Sequence, residues 1–426
     1  MTDVRKQLFE GSNNILLSQG FPANASIYPS YAGLSLLNLT GSLFQWFGLP
    51  PLRHAPLQVT ELDERAANVD QIIILLMDAV AFERMQGWME PDPGLRALVQ
   101  EGLFFPLTSV TPCTTSNVLT TLWTGCSPVE HAILAYELFL KEFGLVANMI
   151  THSPMALGHE AGLLYRAGFI PETALPVSSI GPALKQGGVD AHSFLHYGIS
   201  NSGLSRMHYQ EVERHPFSSG ADLWIAVRQL AELPRRRRRL IWVYHGAVDS
   251  LSHRYGPNSE QARAEFTSFL KTMQANFLEP LSEQGRKKTL FLVTADHGQV
   301  ATPKNPTYEL VNHPDLMQML HLPPTGENRF IFFHPKPGMV QAVDDYVHAA
   351  WPGDFVTMPS SQAVEAGFFG PGVPDITVPD RIGELIAIPT GNAYLWWSRT
   401  PNPLLGRHGA FDPLEMLVPL LALRLA

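Results

Sequence analysis

The stretch from Gln71 to Gly87, QIIILLMDAVAFERMQG, decides the fold. Residues 72 to 76 are all aliphatic, and the first three of them are β-branched isoleucines. This composition is typical of a strand buried on both faces of a parallel sheet. The strand runs through Met77 into Asp78, whose charge cannot remain inside an apolar core. We therefore predict that Asp78 lies at the carboxyl end of the strand, where α/β sheets bind ligands, or that it caps the next helix.

Two further apolar strands repeat this arrangement, each followed by an acid and a histidine. They are Leu240 to Tyr244, followed by Asp249 and His253, and Leu290 to Thr294, followed by Asp296 and His297. A fourth candidate, His408, stands in a loop bounded by two glycines. Carboxylates and imidazoles gathered at one edge of a sheet are the ligands of a divalent metal, and this set suits zinc, with manganese or iron as alternatives.

The spacing of these residues is informative. Asp249 and His253 are four residues apart, so one helical turn places both on one side of a metal. Asp296 and His297 are adjacent, and they can share a metal only if the backbone turns there, which Gly298 permits. Each pair alone is weak, because a DxxxH pair is more often found on a helix surface. Together the residues supply enough ligands for two metals.

A pair of metals about 4 Å apart indicates an in-line displacement at phosphorus, which requires a nucleophile. The segment 111–117, TPCTTSN, offers four hydroxyl groups at the start of a predicted helix. A helix N-terminus also offers free N–H groups to a phosphate oxygen. The alternative is that these side chains only cap the helix, although capping needs one or two of them and not four.

Composition narrows the class of protein. The chain has 426 residues, of which 45% are hydrophobic and 16% charged, with a formal net charge of −9. This balance argues against a nucleic-acid polymer or an anionic membrane as partner. The two cysteines, Cys113 and Cys126, do not form a disulfide framework in so long a chain. The first residues contain no apolar signal core, and no apolar run is long enough for a membrane span, so we expect a cytoplasmic protein.

We predict an α/β fold with a mostly parallel sheet between helices. Residues 305–390 show a different pattern, with strands predicted near 329–334, 354–358 and 383–388 and helices between them. We interpret this segment as a smaller α+β subdomain inserted into a catalytic domain formed by 1–304 and 391–426. The apolar end of the chain, Leu414 to Leu425, is predicted to be a helix.

Four motifs resemble those of the alkaline phosphatase superfamily, and most closely its type I phosphodiesterase/nucleotide pyrophosphatase branch. The segment TPCTTSNVLTTLWTGCSPVEHAI resembles the nucleophile motif of that branch, in which a threonine precedes the glycine of a TG pair by ten residues. VDSLSHRYGP, at 248–257, resembles its PDxxGHxxGP motif, and TADHG and RHGAFDP match the two remaining metal motifs. The resemblance spans residues 71 to 412.

The resemblance implies an alkaline-phosphatase-like fold and a role for each matching residue. Thr115 falls on the nucleophile. One metal would be held by Asp78, Thr115, Asp296 and His297, and the other by Asp249, His253 and His408. Two departures are present. Val118 replaces the asparagine that normally donates to the phosphoryl oxygen, and counting from Asn117 instead would make Thr114 the nucleophile. Val248 and Ser252 replace the proline and glycine of the PDxxGH motif.

The expected reaction is hydrolysis of a small phosphate ester or nucleotide through a phospho-threonine intermediate. The segment from Thr108 to Glu130 contains no Lys or Arg to meet the extra charge of a monoester, which favours a phosphodiester or nucleotide pyrophosphate. The alternatives are a phosphomonoesterase, a phosphoglycerate-mutase-like enzyme, and a non-catalytic protein that retains the metal site. The oligomeric state is left open.

Several other residues have simpler interpretations. Sulfatases of the superfamily use a modified cysteine within C-x-P-x-R, but the run at Cys113 is C-T-T-S-N, so we interpret Cys113 as a small buried neighbour. Arg235 to Arg239 are expected to form a solvated loop ahead of a strand, with the steering of phosphate or nucleic acid as the alternative. Four histidines of the middle segment could line the substrate side, but we interpret each of them as a surface or core residue. They are His152, His159, His192 and His196.

Overall fold

The structure is a computed structural model, and it describes residues 2–22, 25–156 and 160–425. The strands in chain order are β1 (Gln71–Met77), β2 (Leu103–Thr108), β3 (Glu137–Leu140), β4 (Leu145–Asn148), β5 (Ser153–Pro154), β6 (Val189–His196), β7 (Glu213–Phe217), β8 (Arg238–His245), β9 (Thr289–Thr294), β10 (Val300–Ala301), β11 (Thr325–Glu327), β12 (Phe330–Phe333), β13 (Phe355–Pro359), β14 (Leu385–Pro389), β15 (Gly406–Arg407) and β16 (Leu417–Leu425).

The helices in chain order are α1 (Thr2–Ser18), α2 (Leu36–Trp46), α3 (Thr60–Arg65), α4 (Phe82–Met89), α5 (Pro93–Glu101), α6 (Thr115–Thr124), α7 (Pro128–His131), α8 (Leu163–Arg166), α9 (Gly181–Gln186), α10 (Gly203–His208), α11 (Gly220–Glu232), α12 (Ala247–Tyr255), α13 (Glu260–Met273), α14 (Glu283–Arg286), α15 (Pro314–Gln318), α16 (Val340–Ala350), α17 (Ser360–Glu365), α18 (Val378–Ile382) and α19 (Pro413–Met416). A π-helical turn, Gln274–Leu278, extends α13, and 3₁₀ turns cover Lys141–Phe143, Pro171–Thr173, Pro306–Tyr308 and Leu310–Asn312.

The main sheet has seven strands in the order β2-β16-β9-β1-β8-β6-β7. Strand β1 lies at its centre and pairs in parallel with β8 and β9, while β6 pairs in parallel with β8 and β7. Every residue of β1 and β9 is buried, as expected for strands covered by helices on both faces. The predicted α/β fold with a mostly parallel sheet is therefore confirmed.

The predicted helix from Leu414 to Leu425 is wrong. The segment forms only the short helix α19 and then strand β16, which pairs antiparallel with β2 on one side and β9 on the other. An apolar run without polar residues cannot be assigned to a helix or a strand by periodicity. Pro419 was the informative signal, because a proline in the middle of a helix removes a backbone hydrogen bond and clashes with the preceding turn.

A second sheet of seven strands has the order β13-β14-β12-β11-β3-β4-β5, and its pairings are antiparallel. The strands predicted near 329–334, 354–358 and 383–388 are present as β12, β13 and β14. Three further strands, β3 to β5, come from residues 137–154 and complete the sheet through the pairing of Glu137 with Gly326. Part of this sheet packs on its own hydrophobic core around Phe333, Val347 and Trp351.

A buried ion pair connects the two sheets beside the site. Arg329, between β11 and β12, donates through Nε and Nη2 to both carboxylate oxygens of Glu415 in α19, at 2.9 and 2.7 Å. Both side chains are buried. Because α19 follows directly on the loop of His408, this pair fixes the second sheet against the carboxyl edge of the main sheet. Among the described residues, no helix is both long and apolar enough to cross a lipid bilayer.

Candidate active site

Asp78 lies at the carboxyl end of β1, as predicted, and it does not cap the next helix. The N-cap residue of α4 is Ala81, and this end of the helix has no capping hydrogen bond from a side chain. The chain turns sharply after Asp78, because Ala79 takes a left-handed conformation with φ of +63°. This turn lets the Ala79 N–H donate to Asp296 Oδ1 at 3.2 Å. A left-handed alanine is a strained conformation, and such conformations cluster at functional sites.

Asp296 and His297 follow β9 and lie beside Asp78. His297 Nε2 is 3.4 Å from Asp78 Oδ1 and 3.6 Å from Asp296 Oδ2. The side chains of Asp296 and His297, although adjacent in sequence, therefore both face Asp78. Gly298 contributes differently from our prediction, since its φ is not positive. A Cβ at this position would lie 2.0 Å from the Leu414 carbonyl oxygen and 2.7 Å from Ala81 Cβ. Gly298 is therefore required by close packing and not by an unusual backbone angle.

Two buried carboxylate oxygens in this group have no hydrogen-bond partner. They are Asp78 Oδ1 and Asp296 Oδ2, and both side chains are almost inaccessible to solvent. An unpaired buried carboxylate costs several kcal/mol, as an order of magnitude, unless a cation compensates it. Burial raises the pKa of Asp78 well above its ordinary value, and the charges of Asp296 and Asp249 raise it further. The donor set Asp78, Asp296 and His297 thus fits a divalent metal.

The second group combines α12 with the loop after β15. Asp249 and His253 lie on one side of α12, as predicted, with His253 Nε2 at 3.2 Å from Asp249 Oδ1. His408 Nε2 lies 4.0 Å from the same oxygen. These three side chains form a further donor set of metal-binding geometry.

The three histidines share a feature that orients them. In each of them Nδ1 faces a backbone carbonyl oxygen: Gly406 at 2.8 Å from His253, Gly298 at 3.1 Å from His297, and Cys113 at 2.9 Å from His408. A proton on Nδ1 donates to that carbonyl and leaves the Nε2 lone pair facing the site. This is the usual way in which a protein fixes the tautomer of a metal-binding histidine.

The two groups adjoin. The rings of His297 and His408 stack with their centroids 3.8 Å apart and their planes inclined by 20°. Burial lowers the pKa of His408 well below its ordinary value, with His297 and His253 lowering it further, so its imidazole is neutral. All six predicted donors, which come from the ends of β1 and β9, from α12 and from one loop, therefore face one cleft.

The hydroxyl of Thr115 contacts the Asp/His group, whereas the hydroxyl of Thr114, which borders the same cavity, contacts the second sheet. Thr115 Oγ1 lies 3.4 Å from Asp78 Oδ2 and 3.3 Å from His297 Nε2. Thr114 Oγ1 instead donates to Glu327 Oε1 at 2.6 Å. Thr114 is the N-cap of α6, but its side chain makes no capping bond, so the hydroxyl cluster does not serve the helix end. The geometry favours Thr115 over Thr114 as the nucleophile.

Asn117 is not oriented towards the site. Its Nδ2 donates to the Pro112 carbonyl oxygen at 2.8 Å, and the neighbouring Val118 is fully buried. The first amides of a helix have no intrahelical partner, and Thr115 occupies the first position of α6. The backbone N–H groups at this helix start are the available donors for a phosphoryl oxygen where the asparagine is missing.

Two cavities meet at Thr115 and Asp249. One, of about 440 Å³, is bordered by the second sheet and by an aromatic segment; its walls include Tyr136, Glu137, Glu327, Asn328, Trp396 and Trp397. The other, of about 620 Å³, lies over the ends of β6 and β8; its walls include His196, Phe217, Tyr244 and His245. A substrate whose phosphorus lies at Thr115 therefore has room for a substituent on each side.

Sequence reasoning missed Tyr244 and Glu327. The Tyr244 hydroxyl donates to Asp78 Oδ2, and Tyr244 ends the same apolar strand that precedes Asp249. An aromatic hydroxyl at the carboxyl end of a buried strand was the available signal. Glu327 comes from the second sheet, and no local pattern connects it with Thr114.

The remaining predictions are mostly confirmed. Cys113 is buried, and burial raises its pKa well above the ordinary value, so the thiol is an inert neighbour. His152 is a core residue against Phe169, whereas His159 lies outside the described residues. The arginine run is not a solvated loop throughout, because β8 begins at Arg238. Arg239 is buried and donates to the Gln71 side chain and the Leu230 carbonyl oxygen.

A mostly parallel α/β sheet with two Asp/His groups and a threonine at its carboxyl edge is the architecture of a phosphoesterase of the alkaline phosphatase superfamily. The chain belongs to the type I phosphodiesterase/nucleotide pyrophosphatase family, whose sequence model matches residues 72–411. This identifies the protein as a hydrolase of the phosphodiesterase/pyrophosphatase type.

Solved structures show the same fold. Murine ectonucleotide pyrophosphatase/phosphodiesterase 5 has a TM-score of 0.62 at 17% identity, covering 83% of this chain and 87% of that chain. An inactive threonine-to-alanine variant of it, in complex with AMP, has a TM-score of 0.60 at 16% identity, with coverage of 83% and 87%. Phosphonoacetate hydrolase from Sinorhizobium meliloti 1021, in complex with phosphonoacetate, has a TM-score of 0.57 at 16% identity, covering 82% and 89%. No curated protein sequence matches the chain significantly.

Proposed function

We propose that the protein hydrolyses phosphodiesters or nucleotide pyrophosphates, with Thr115 as the nucleophile and two divalent cations as cofactors. The observation that carries the proposal is the position of Thr115 Oγ1, within 3.4 Å of Asp78 and His297 in a group that has two carboxylate oxygens without a hydrogen-bond partner. Asp78, Asp296 and His297 would hold one cation, with Thr115, and Asp249, His253 and His408 the other. The cations, zinc or alternatively manganese or iron, would stabilise negative charge on oxygen and lower the pKa of a hydroxyl or water.

The reaction has two displacements. In the first, Thr115 Oγ1 forms a bond to phosphorus, the bond from phosphorus to the leaving oxygen breaks, and that oxygen takes up a proton. In the second, water attacks the phospho-threonine and Thr115 Oγ1 is released with a proton. The amides at the start of α6 donate to the phosphoryl oxygen, and the α6 dipole favours the negative charge there. The inactive threonine-to-alanine variant of the murine neighbour is consistent with a threonine in this role.

The charges around the cavities favour a diester. Arg407 is the arginine that borders the smaller cavity, and its guanidinium is already used within the fold. It donates to Thr302 at 2.7 Å and to Asn402 at 2.6 Å, and it stacks over the Tyr394 ring at 3.7 Å. The same cavity carries the carboxyl groups of Glu137 and Glu327. Among the described residues that border this cavity, no Lys or Arg is free to meet the second charge of a monoester dianion, whereas a diester carries one charge less.

Replacing the two threonines separately tests the proposal. Thr115→Ala should abolish hydrolysis of bis-p-nitrophenyl phosphate while leaving the fold and the metal content, measured by plasma mass spectrometry, nearly intact. Thr114→Ala is the matched control and should reduce the rate only modestly, since its hydroxyl contacts Glu327. Equal losses, or a larger loss at Thr114, would contradict the assignment of the nucleophile.

The rival function is that of a phosphomonoesterase, and a substrate comparison separates the two. We expect kcat/KM for bis-p-nitrophenyl phosphate to exceed that for p-nitrophenyl phosphate. The reverse order, with the same dependence on Thr115, would retain the mechanism and overturn the substrate class. A metal-loaded protein that turns over neither ester would favour a non-catalytic binding role.

A further inference from the structure

We infer that His192, Glu213 and His215, at the outer edge of the main sheet, form a third metal site for Zn²⁺ or a similar borderline cation. The site is separate from the active-site cleft. It is built from β6 and from β7, which is the edge strand of the sheet. None of its residues belongs to the family motifs.

The register of the two strands brings the three side chains together. Glu213 and His215 are two residues apart on β7, so they point to the same face of the sheet. His192 on β6 is the register partner of Glu213 in the parallel pair. The two adjacent strands thus present two imidazoles and one carboxylate on a single face of the sheet.

The distances between the donor atoms match a metal site. His192 Nδ1 lies 3.1 Å from His215 Nε2 and 3.3 Å from Glu213 Oε2, and His215 Nε2 lies 3.7 Å from Glu213 Oε1. Ligands placed about 2.0–2.2 Å from a tetrahedral zinc ion are separated from each other by roughly 3.4 Å. The two imidazole nitrogens therefore lie close to the spacing that zinc requires, and one oxygen of the Glu213 carboxylate faces each of them at a similar distance.

Their chemistry and surroundings agree with this use. Burial lowers the pKa of both His192 and His215, which keeps the imidazoles neutral, the form that binds a metal. The His215 ring stacks on Phe194 with centroids 4.6 Å apart and planes inclined by 16°, which fixes its direction. The Glu213 side chain is 66% exposed, so a fourth position is open to water. A hydrogen bond between the two imidazoles explains the 3.1 Å contact alone, but not the convergence of the carboxylate.

The site is distinct from the catalytic one in position. His196, which borders the larger active-site cavity, follows His192 by four residues on β6. At about 3.3 Å per residue, the cluster lies roughly 13 Å back along the strand. A metal there would join the edge strand β7 to β6 through side chains, in addition to the backbone ladder.

Metal counting tests the inference. The full-length protein and its variants are dialysed against micromolar Zn²⁺, and bound zinc per chain is measured by plasma mass spectrometry. His192→Ala, Glu213→Gln and His215→Ala should each hold one zinc ion per chain fewer than the wild type. Their hydrolysis of bis-p-nitrophenyl phosphate should be unchanged. The control His348→Ala removes an exposed histidine that also faces an aspartate, Asp344 at 3.5 Å, and should lose no zinc.

Glu213→Gln keeps the test valid if a histidine variant misfolds, because this side chain is exposed and its replacement preserves shape. Zinc content equal to that of the wild type in Glu213→Gln and His215→Ala would overturn the inference. An anomalous scattering peak at the zinc edge among the three donors would confirm it. Because the readout is a difference between proteins with intact Asp78 and Asp249 groups, the result does not depend on whether the proposed catalytic function is correct.

Discussion

Tyr244 shows how a single hydroxyl supports the proposed site. It donates to Asp78 Oδ2 and leaves Oδ1 of the same carboxylate for a metal. Removing a group that orients a metal ligand typically costs 10–100-fold in metal affinity or activity. We therefore expect Tyr244→Phe to weaken zinc binding by roughly 10–100-fold, measured by competition with a chromophoric chelator.

The control for this variant is Tyr308→Phe. Tyr308 also donates to a carboxylate, Asp354 at 2.8 Å, but it packs against the core of the second sheet. Its replacement should leave zinc affinity unchanged. Equal affinities of the Tyr244 variant and the wild type would show that Asp78 is held in place without this hydroxyl.

The titration of the Glu137 carboxyl group should make the stability of the folded protein depend on pH. Burial raises its pKa to about 7, above the ordinary 4.5, although a hydrogen bond from Trp397 opposes this shift. The folded protein therefore keeps a proton that the unfolded chain releases. The stabilisation of the folded state by this proton is fully present below pH 4.5 and is lost as the pH rises through 7. Since Glu137 lines a cavity, we expect a loss on the order of 1–2 kcal/mol across this range.

Glu137→Gln is the matched variant, because its amide oxygen still accepts from Trp397. The free energy of unfolding of the variant, from urea denaturation at several pH values, should fall less between pH 4.5 and 7 than that of the wild type. Burial also raises the pKa of Glu327 to about 7, so this second acid should retain part of the dependence. Parallel curves for wild type and variant would contradict the assigned pKa.

At the scale of elements, Gly298 determines how the loop after β9 meets α19. A methyl group at this position would overlap the Leu414 carbonyl oxygen at 2.0 Å. We expect Gly298→Ala to destabilise the protein by about 1–3 kcal/mol, as overpacking in a rigid surrounding does. The same variant should lose zinc, because His297 would be displaced. Thermal unfolding and metal content are the measurements.

Gly87→Ala is the contrasting variant. Gly87 lies in α4, and a Cβ there would meet no atom within 4 Å. An alanine should therefore stabilise the helix by up to about 1 kcal/mol. Unchanged stability and zinc content in Gly298→Ala would mean that the loop accommodates the methyl group without displacing His297.

The elements also show what could be predicted from sequence. The strands that precede Asp78, Asp249 and Asp296 were predictable, because each contains a short apolar run that is soon followed by polar residues. The final strand β16 could not be predicted from its composition, because an apolar run buried on both faces has the same composition as a buried helix. Pro419 argued against a helix but did not indicate which strands the segment would pair with. Its assignment depends on β2 and β9, which lie far away in sequence.

At the scale of the whole molecule, the site is completed by parts that no local pattern joins. Strands β3 to β5 lie well before the segment predicted as an inserted subdomain, yet they complete its sheet. Glu327 and Glu137 reach the same cavity because Gly326 pairs with Glu137. The candidate metal ligands could be named from motifs, whereas the cavity walls depend on long-range pairing. We expect these walls to determine selectivity between substrates, since in the proposed reaction the edge with the candidate metal ligands would contact only the phosphate.

Trp397 lines one of the cavities, and its replacement tests whether the cavity walls determine selectivity between substrates. It borders the smaller cavity and donates to Glu137 Oε2 at 2.9 Å, which holds the indole in place. Stacking of a nucleobase on an aromatic ring contributes about 1–3 kcal/mol, or roughly 5–150-fold in affinity. We expect Trp397→Ala to lower kcat/KM for thymidine 5′-p-nitrophenyl phosphate by about tenfold or more. Methyl p-nitrophenyl phosphate has the same leaving group without the nucleoside, and its hydrolysis should change far less. Trp397→Phe keeps a stacking ring and should retain most of the preference, while an equal fall for both esters in Trp397→Ala would place the nucleoside in the other cavity.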